Sequence, residues 1–287
     1  MSEDVVEEIV EAEGICVGRF WCPPESGLWR RENRIERGPS FVVPMTGVEI
    51  APAGERPLVT SAARVMFYNS DATYRRRLLS PVGDRCVFVG LTDDAVREVL
   101  EAHGVEPGGR ASETFRWSWG PLGSRTFLGA QALFRRAFRG MDAEVLREGA
   151  LALFDAAVAA AEALHRGRDP QPLGPRARDA VDETLRHLVR TPDDRSTLAE
   201  LGARVDLSPY HLARSFRAAT GWSVHACREA IRVACAVERL GSRERLVDIA
   251  FDVGYSSHSH LTQAFHRVLG DSPSGVRRKL LAESSVA

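Results

Sequence analysis

Two groups of side chains near the C-terminus have the types and spacing needed to recognise the edges of DNA base pairs. Arg214 can pair with guanine through two hydrogen bonds, Gln263 can do the same with adenine, and the Thr262 methyl group can contact a thymine methyl. Each bidentate pair contributes about 1–3 kcal/mol of discrimination against the wrong base. The predicted base-reading residues are Tyr210, Ala213 and Arg214 in the first group, and His258, Ser259, Thr262 and Gln263 in the second.

These residues lie in a duplicated pattern that predicts two pairs of short helices. The run 198–209 recurs 48 residues later, whereas the apolar pair that follows it, Leu212 and Phe216, recurs 49 residues later. The second copy therefore has one extra residue between its two helices. Because the second helix of a helix-turn-helix enters the major groove, two copies predict a protein that reads two successive grooves, about 34 Å apart, in an asymmetric site.

The apolar residues of both copies predict which helix faces are buried. They are Leu198, Leu201 and Val205 in the first scaffold helix, and Leu246, Ile249, Ala250 and Val253 in the second. Ser208 followed by Pro209 predicts a helix start, because the hydroxyl can accept from an unpaired backbone N–H and proline has none. Phosphate contacts, which fix register without reading sequence, are predicted at Ser208, Arg217, Ser257, His266, Arg267 and Arg277.

Composition and charge set the class of protein. The 287 residues are 44% hydrophobic and 27% charged, which is ordinary for a globular chain of two domains. The net charge is −1, but residues 171–287 contain 17 basic and 14 acidic residues, a balance that suits a DNA-binding half. No apolar run approaches the roughly 20 residues of a membrane span, and five cysteines do not make a disulfide framework. We therefore expect no membrane partner and a cytoplasmic, nucleoid-associated location.

The N-terminal half has a different pattern. From Gly14 to Gly90, short β-rich runs alternate with turn residues, which predicts an antiparallel sandwich or a small barrel able to enclose one ligand. The segments 125–139 and 143–166 have helical spacing and predict an antiparallel hairpin that turns at Gly140 and packs on this domain and on a second copy. The three prolines and the glycine of residues 168–175 predict a linker.

Residues 176–282 resemble the DNA-binding domain of AraC/XylS-type transcription regulators. The resemblance rests on the spacing of the two motifs, the connecting helix from Val224 to Leu240, the run from Val247 to Phe265, and the ending from Gly270 to Arg277. In that family the positions that match the base-reading residues line the groove-facing side. The family usually has glycine where this chain has Asp206, and aspartate adopts a left-handed conformation at a cost of roughly 1 kcal/mol.

The resemblance implies an α+β multidomain protein. Its parts would be a cupin-like regulatory β-barrel at 1–122, a helical dimerisation hairpin at 123–167 and an all-α double helix-turn-helix domain at 176–282. The expected partners are double-stranded promoter DNA, RNA polymerase, a small-molecule effector and a second copy of the chain, with activation as the expected effect.

The effector site is predicted from aromatic and arginine residues on the β-rich runs. The apolar wall would be formed by Trp21, Trp29, Met66, Tyr68, Tyr74 and Phe88, with Arg19, Arg30 or Arg75 fixing a polar end of the ligand. Cys16, Cys22 and Cys86 are expected to be small buried residues, with thiol sensing as the alternative.

Two other functions stay open from sequence. A cupin enzyme fused to a DNA-binding module would need histidine and carboxylate metal ligands, and residues 1–102 contain no histidine, so we expect no enzyme activity, no metal and no cofactor. An effector-free dimeric DNA-binding protein is the second alternative, and a well-filled barrel interior would favour it.

Overall fold

The computed structural model describes residues 6–106, 108, 114–166, 173–242 and 244–282, and the chain divides into two compact units, Met1–Gly167 and Arg168–Ala287. The strands of the first unit are β1 Val6–Ala12, β2 Ile15–Cys22, β3 Asn33–Arg34, β4 Ser40–Pro44, β5 Val48–Pro52, β6 Leu58–Val59, β7 Arg64–Tyr68, β8 Thr73–Leu78, β9 Asp84–Gly90 and β10 Trp119–Pro121. Its helices are α1 Asp93–Ala102, α2 Ser124–Ala137 and α3 Ala143–Arg166, with a short 3-10 helix at Gly27–Arg30.

The strands form two antiparallel sheets with the orders β1-β2-β9-β4-β7-β10 and β3-β8-β5-β6. Val48 and Ile50 of β5 pack with Met66 and Tyr68 of β7, so the inner faces of the two sheets meet in one apolar cluster. This arrangement fits the antiparallel sandwich predicted from sequence, and the cupin-like barrel stays a prediction.

The helical hairpin predicted at 125–166 is present, and it covers the larger sheet. Helix α2 contacts β2 and β9, and α3 contacts β10. The two helices approach closely at Gly129 and Gly149. A methyl group at Gly129 would lie 2.5 Å from Leu153 Cδ2, and one at Gly149 would lie 2.7 Å from Leu133 Cδ1. Gly140 forms the turn with φ +89°. The predicted contact of this hairpin with a second copy stays a prediction.

The second unit is helical. Its helices are α4 Pro175–Arg190, α5 Leu198–Arg204, α6 Pro209–Thr220, α7 Val224–Leu240, α8 Leu246–Asp252, α9 His258–Leu269 and α10 Pro273–Ala282. Residues 168–172 of the predicted linker lie outside the described residues, and its last residue, Pro175, begins α4 after the cap Gly174. The linker prediction was one residue too long there, because proline is favoured in the first turn of a helix.

Candidate functional site

The first helix-turn-helix motif consists of α5 and α6. Thr197 and Glu200 cap the start of α5 reciprocally, since each side chain bonds the other residue's backbone N–H. Ser208 caps α6 by accepting from the His211 N–H at 3.3 Å, as predicted. Leu212 and Phe216 of α6 are fully buried, which fixes the opposite face of this helix toward solvent.

The second motif, α8 and α9, repeats this arrangement with the expected extra residue. Ser257 caps α9 by accepting from the His260 N–H at 3.1 Å, and Leu261 and Phe265 are fully buried. Ser256 occupies the additional position between the two helices. The two motifs share the same internal packing but reach their second helices through loops of different length.

The turn inside each motif requires a left-handed residue. Asp206 has φ +55° in the first motif and Gly254 has φ +93° in the second, so the departure from glycine at Asp206 does not change the conformation. The guanidinium of Arg176 binds the Asp206 carboxylate and donates to its carbonyl oxygen at 3.0 Å. At Gly254 no side chain fits, because a methyl group would lie 2.6 Å from the Asp193 Cα.

We call α6 and α9 the reading helices, and the structure places the predicted base-reading residues on their outer faces. In α6, Tyr210 is 68% exposed, Arg214 is exposed and Ala213 is half-buried. Of the predicted residues in α9, His258, Ser259 and Gln263 are exposed and Thr262 is half-buried. The Thr262 hydroxyl donates to the His258 carbonyl at 3.0 Å, which leaves the methyl group for the contact predicted from sequence.

Two histidines outside the predicted base-reading set lie on the same surface. His211 and His260 occupy equivalent positions in the reading helices, both are exposed, and each ring Nδ1 lies 3.1–3.2 Å from a serine Oγ, that of Ser208 or Ser256. The offset of 49 residues aligns them in the sequence and could have identified them.

The predicted phosphate contacts divide into two kinds. Arg267 donates from Nε to Glu229 at 2.8 Å and binds the other oxygen of that buried carboxylate through Nη2. Arg277 donates to the carbonyl oxygen of Leu240, the last residue of α7, at 3.2 Å and to that of Glu244, beyond the helix, at 2.8 Å. Both guanidinium groups are engaged within the fold, which makes these two arginines weaker candidates for phosphate contacts than the surface residues below.

The other predicted phosphate contacts lie at the surface. Arg217 and His266 are exposed, Ser208 is an exposed helix cap, and Ser257 is a half-buried one.

The first unit contains a cavity of about 880 Å³ between its sheets, which we call the N-terminal cavity. Met66, Tyr68, Tyr74 and Phe88 line it, as predicted for the effector site. Arg19, Trp21 and Trp29 do not belong to its lining.

The orientation of β2 explains two of these errors. Phe20 lines the cavity, and because successive side chains of a strand alternate between faces, Arg19 and Trp21 point the other way. The Trp21 indole N–H donates to the Val82 carbonyl at 3.2 Å. Trp29 lies on the 3-10 helix, donates to the Pro23 carbonyl at 2.7 Å and packs against the core cluster of Val48, Ile50, Met66 and Tyr68.

The buried arginine of the cavity lining is Arg76, and the predicted Arg19, Arg30 and Arg75 are not part of the lining. The Arg76 side chain is 4% exposed and pairs with Asp84 at 3.0 Å, whereas the neighbouring Arg75 points to solvent. Arg76 also donates to the Tyr74 hydroxyl at 2.5 Å. Burial raises the pKa of Asp84, and the positive charge of Arg76 opposes this shift.

The cysteines of the first unit are free and buried. Burial raises the pKa of the Cys16, Cys22 and Cys86 thiols, which disfavours the reactive thiolate. Within the described ranges, no group of three or more histidine, cysteine or carboxylate side chains is placed to hold a metal ion. Among the helices described, none is both long and apolar enough to cross a membrane.

Comparison with known proteins identifies the helical unit. Residues 201–279, which include both reading helices, match the family model described as a helix-turn-helix domain. The HTH-type transcriptional regulator RipA of Corynebacterium diphtheriae is 35% identical over 109 residues, 38% of this chain and 32% of that protein. This chain carries an AraC-type helix-turn-helix domain. The HTH-type regulator GlxA of Rhizobium meliloti is 33% identical to it over 127 residues, 43% of this chain and 38% of that protein.

The similarity of the AraC-type domain covers only part of these relatives. The chain spans about a third of the length of the curated relatives it matches. The solved DNA-binding domain of AdpA, in complex with a target DNA, is 26% identical and covers 40% of this chain and 100% of that domain, with a TM-score of 0.34.

Proposed function

We propose that this chain is a sequence-specific transcriptional regulator whose two reading helices enter successive major grooves of promoter DNA. The observation that carries the proposal is the exposure of equivalent residues on α6 and α9, each fixed by a fully buried Leu and Phe on the opposite face. Arginine and an aromatic ring in one helix, and small polar groups and histidine in the other, suit two different half-sites.

The remaining assignments belong to the same proposal. The cupin-like domain at 1–122 senses an effector, the hairpin at 123–167 joins two copies, and the DNA-binding domain at 176–282 recruits RNA polymerase as an activator. The cavity of about 880 Å³ supports a sensing role over the effector-free alternative. The phosphate contacts proposed now are Ser208, Arg217, Ser257 and His266.

The test is selection of binding sites from random DNA by the full chain and by its variants Arg214→Ala and Gln263→Ala. Each variant is expected to lose preference at one base position, in a different groove, at a cost of about 1–3 kcal/mol for the preferred base. Arg217→Ala is the matched control, with a similar loss on every sequence and a shallower salt dependence. A uniform loss in Arg214→Ala and Gln263→Ala would contradict base reading by these residues.

A further inference from the structure

The lining of the N-terminal cavity carries chemical information about its ligand. Apolar and aromatic residues, among them Phe20, Phe88 and Met66, form the inner part of the lining, whereas its charged residues at position 7 and within 31–37 are exposed. A volume of about 880 Å³ is within the range of cavities that bind drug-sized molecules. The ligand therefore needs a large apolar body.

The charges of the lining cancel. At the buried end, Arg76 pairs with Asp84, and their side chains are 4% and 10% exposed, respectively. The other charged lining residues are three glutamates and three arginines, at position 7 and within 31–37, and all six are exposed. One pair among them is in contact, because Arg37 Nη1 lies 3.1 Å from Glu7 Oε1. A carboxylate ligand at Arg76 would place a second negative charge beside Asp84, with no further positive charge in the buried part of the lining to balance it.

The hydrogen bonds of Arg76 are incomplete. Nη1 donates to Asp84 at 3.0 Å and Nη2 to the Tyr74 hydroxyl at 2.5 Å. The buried Nε–H has no hydrogen-bond partner among the described residues. The guanidinium lies 4.6 Å from the centroid of the Phe20 ring, so an apolar surface adjoins the unused donor. An uncharged oxygen acceptor with an apolar body matches this end of the cavity.

We propose that the N-terminal cavity binds an uncharged, mainly apolar small molecule that presents a carbonyl-type oxygen to Arg76. This rests on the sensor role proposed above for the first unit. The class excludes anionic ligands, since the charge of Arg76 is already compensated by Asp84.

The test uses three naphthalenes of nearly the same shape. They are 2-acetonaphthone, which has a neutral carbonyl, 2-ethylnaphthalene, which has no oxygen, and 2-naphthoate, which is anionic. Each is titrated against the full-length protein loaded with the neutral fluorescent probe N-phenyl-1-naphthylamine, and displacement of the probe measures its affinity. We expect 2-acetonaphthone to bind at least about tenfold more tightly than either of the others, because only it satisfies Arg76 without adding charge. Naphthoate binding as tightly as the ketone, equal binding of ketone and hydrocarbon, or no displaceable probe would each overturn the proposal.

Variants locate the effect at Arg76. The double variant R76M/D84L removes both charges together, so that neither is left unpaired, and it should lose the preference for ketone over hydrocarbon. Arg75→Met is the matched control at the adjacent exposed residue and should keep the preference of at least about tenfold. Retention of the preference in R76M/D84L would place the oxygen elsewhere and contradict the proposal.

The ligand series on the unaltered protein decides the ligand class even if the double variant does not fold. None of these titrations contains DNA, so a failure here is distinguishable from failure of the binding-site selection.

Discussion

At the residue scale, the two turns of the helix-turn-helix motifs differ in what they tolerate. Both residues are left-handed, but Asp206 is exposed and bound by Arg176, whereas Gly254 touches the backbone of Asp193. Aspartate can occupy the first turn because nothing crowds its side chain. The requirement for glycine in the second turn comes from this contact as much as from the backbone angle.

Substitutions at the two turns should therefore change the free energy of unfolding by different amounts. Gly254→Ala is expected to lower the free energy of unfolding by about 2 kcal/mol or more, since both steric overlap and positive φ oppose it. Asp206→Gly should change it by less than about 1 kcal/mol, because it relieves the angle but loses the bond to Arg176. Urea unfolding measures both, and equal losses would contradict the role of Asp193.

Two arginines of the same domain should separate stability from DNA binding. Arg267→Ala leaves the buried Glu229 unpaired and is expected to lower the free energy of unfolding by about 1–3 kcal/mol, the lower part of the range being favoured because Arg267 is 53% exposed. Adding Glu229→Gln should restore part of the loss, since no buried charge is then left without a partner.

Arg217→Ala is the comparison for Arg267→Ala. It should weaken DNA binding in a gel-shift titration by more than any change in its urea unfolding accounts for. If the double variant Arg267→Ala with Glu229→Gln lost as much DNA affinity as Arg217→Ala, Arg267 would have to be a phosphate contact.

At the scale of elements, a hydrogen-bond contact between side chains links α4 to the segment between α4 and α5. His187 Nε2 lies 2.7 Å from Asp194 Oδ2. Partial burial opposes ionisation of Asp194, yet hydrogen bonds from Ser196 and His187 outweigh it and lower its pKa to about 2. This carboxylate links α4 to the residues that cap the first scaffold helix.

The pH dependence of stability should show this link. Because the folded pKa of Asp194 lies below its ordinary value of 3.8, its contribution is present above about pH 4 and is lost as the pH falls toward 2. The difference in unfolding free energy between the protein and Asp194→Asn should therefore shrink over that interval. Urea unfolding from pH 5 to 2 measures it, with Asp193→Asn at the exposed neighbouring residue as control. A difference that stays constant with pH would refute the assignment.

At the scale of the whole molecule, the two reading helices belong to one compact unit and are joined through the 17-residue helix α7. A helix of this length spans about 25 Å and cannot stretch, so the spacing between the two half-sites of one domain should be fixed.

DNA with altered spacing tests this rigidity. Insertion of 5 or of 10 base pairs between the two half-sites should reduce affinity to that of a single motif, and a full helical turn should not rescue it. Between the binding sites of the two protomers of a dimer, an insertion of 10 base pairs should reduce affinity less than an insertion of 5 base pairs. Footprinting measures both, and rescue by 10 base pairs inside one site would contradict a rigid connection.

Much of the DNA-binding domain could be predicted because its information is local. Apolar spacing, serine caps and the duplicated run identify each helix within a window of a few turns, and the change of offset from 48 to 49 identifies the extra residue Ser256. The β-rich half was less accessible. Strand β2 has bulky residues on both faces, so its pattern could not show that Phe20 and not Trp21 faces inward. Tyr74 and Arg76 share one face of a strand, and this alternation could have indicated Arg76 instead of Arg75.

The sequence by itself determined the two helix-turn-helix motifs, their exposed faces and the β-rich character of the first half, because periodicity and capping act between near neighbours. Only the tertiary structure showed which arginines are engaged within the fold. Arg267 meets Glu229 across 38 positions, and Arg277 meets the Leu240 carbonyl across 37. It also showed that Arg76 lies buried beside Asp84 with a donor unused. Contacts between distant segments depend on how the elements pack, which no local pattern encodes.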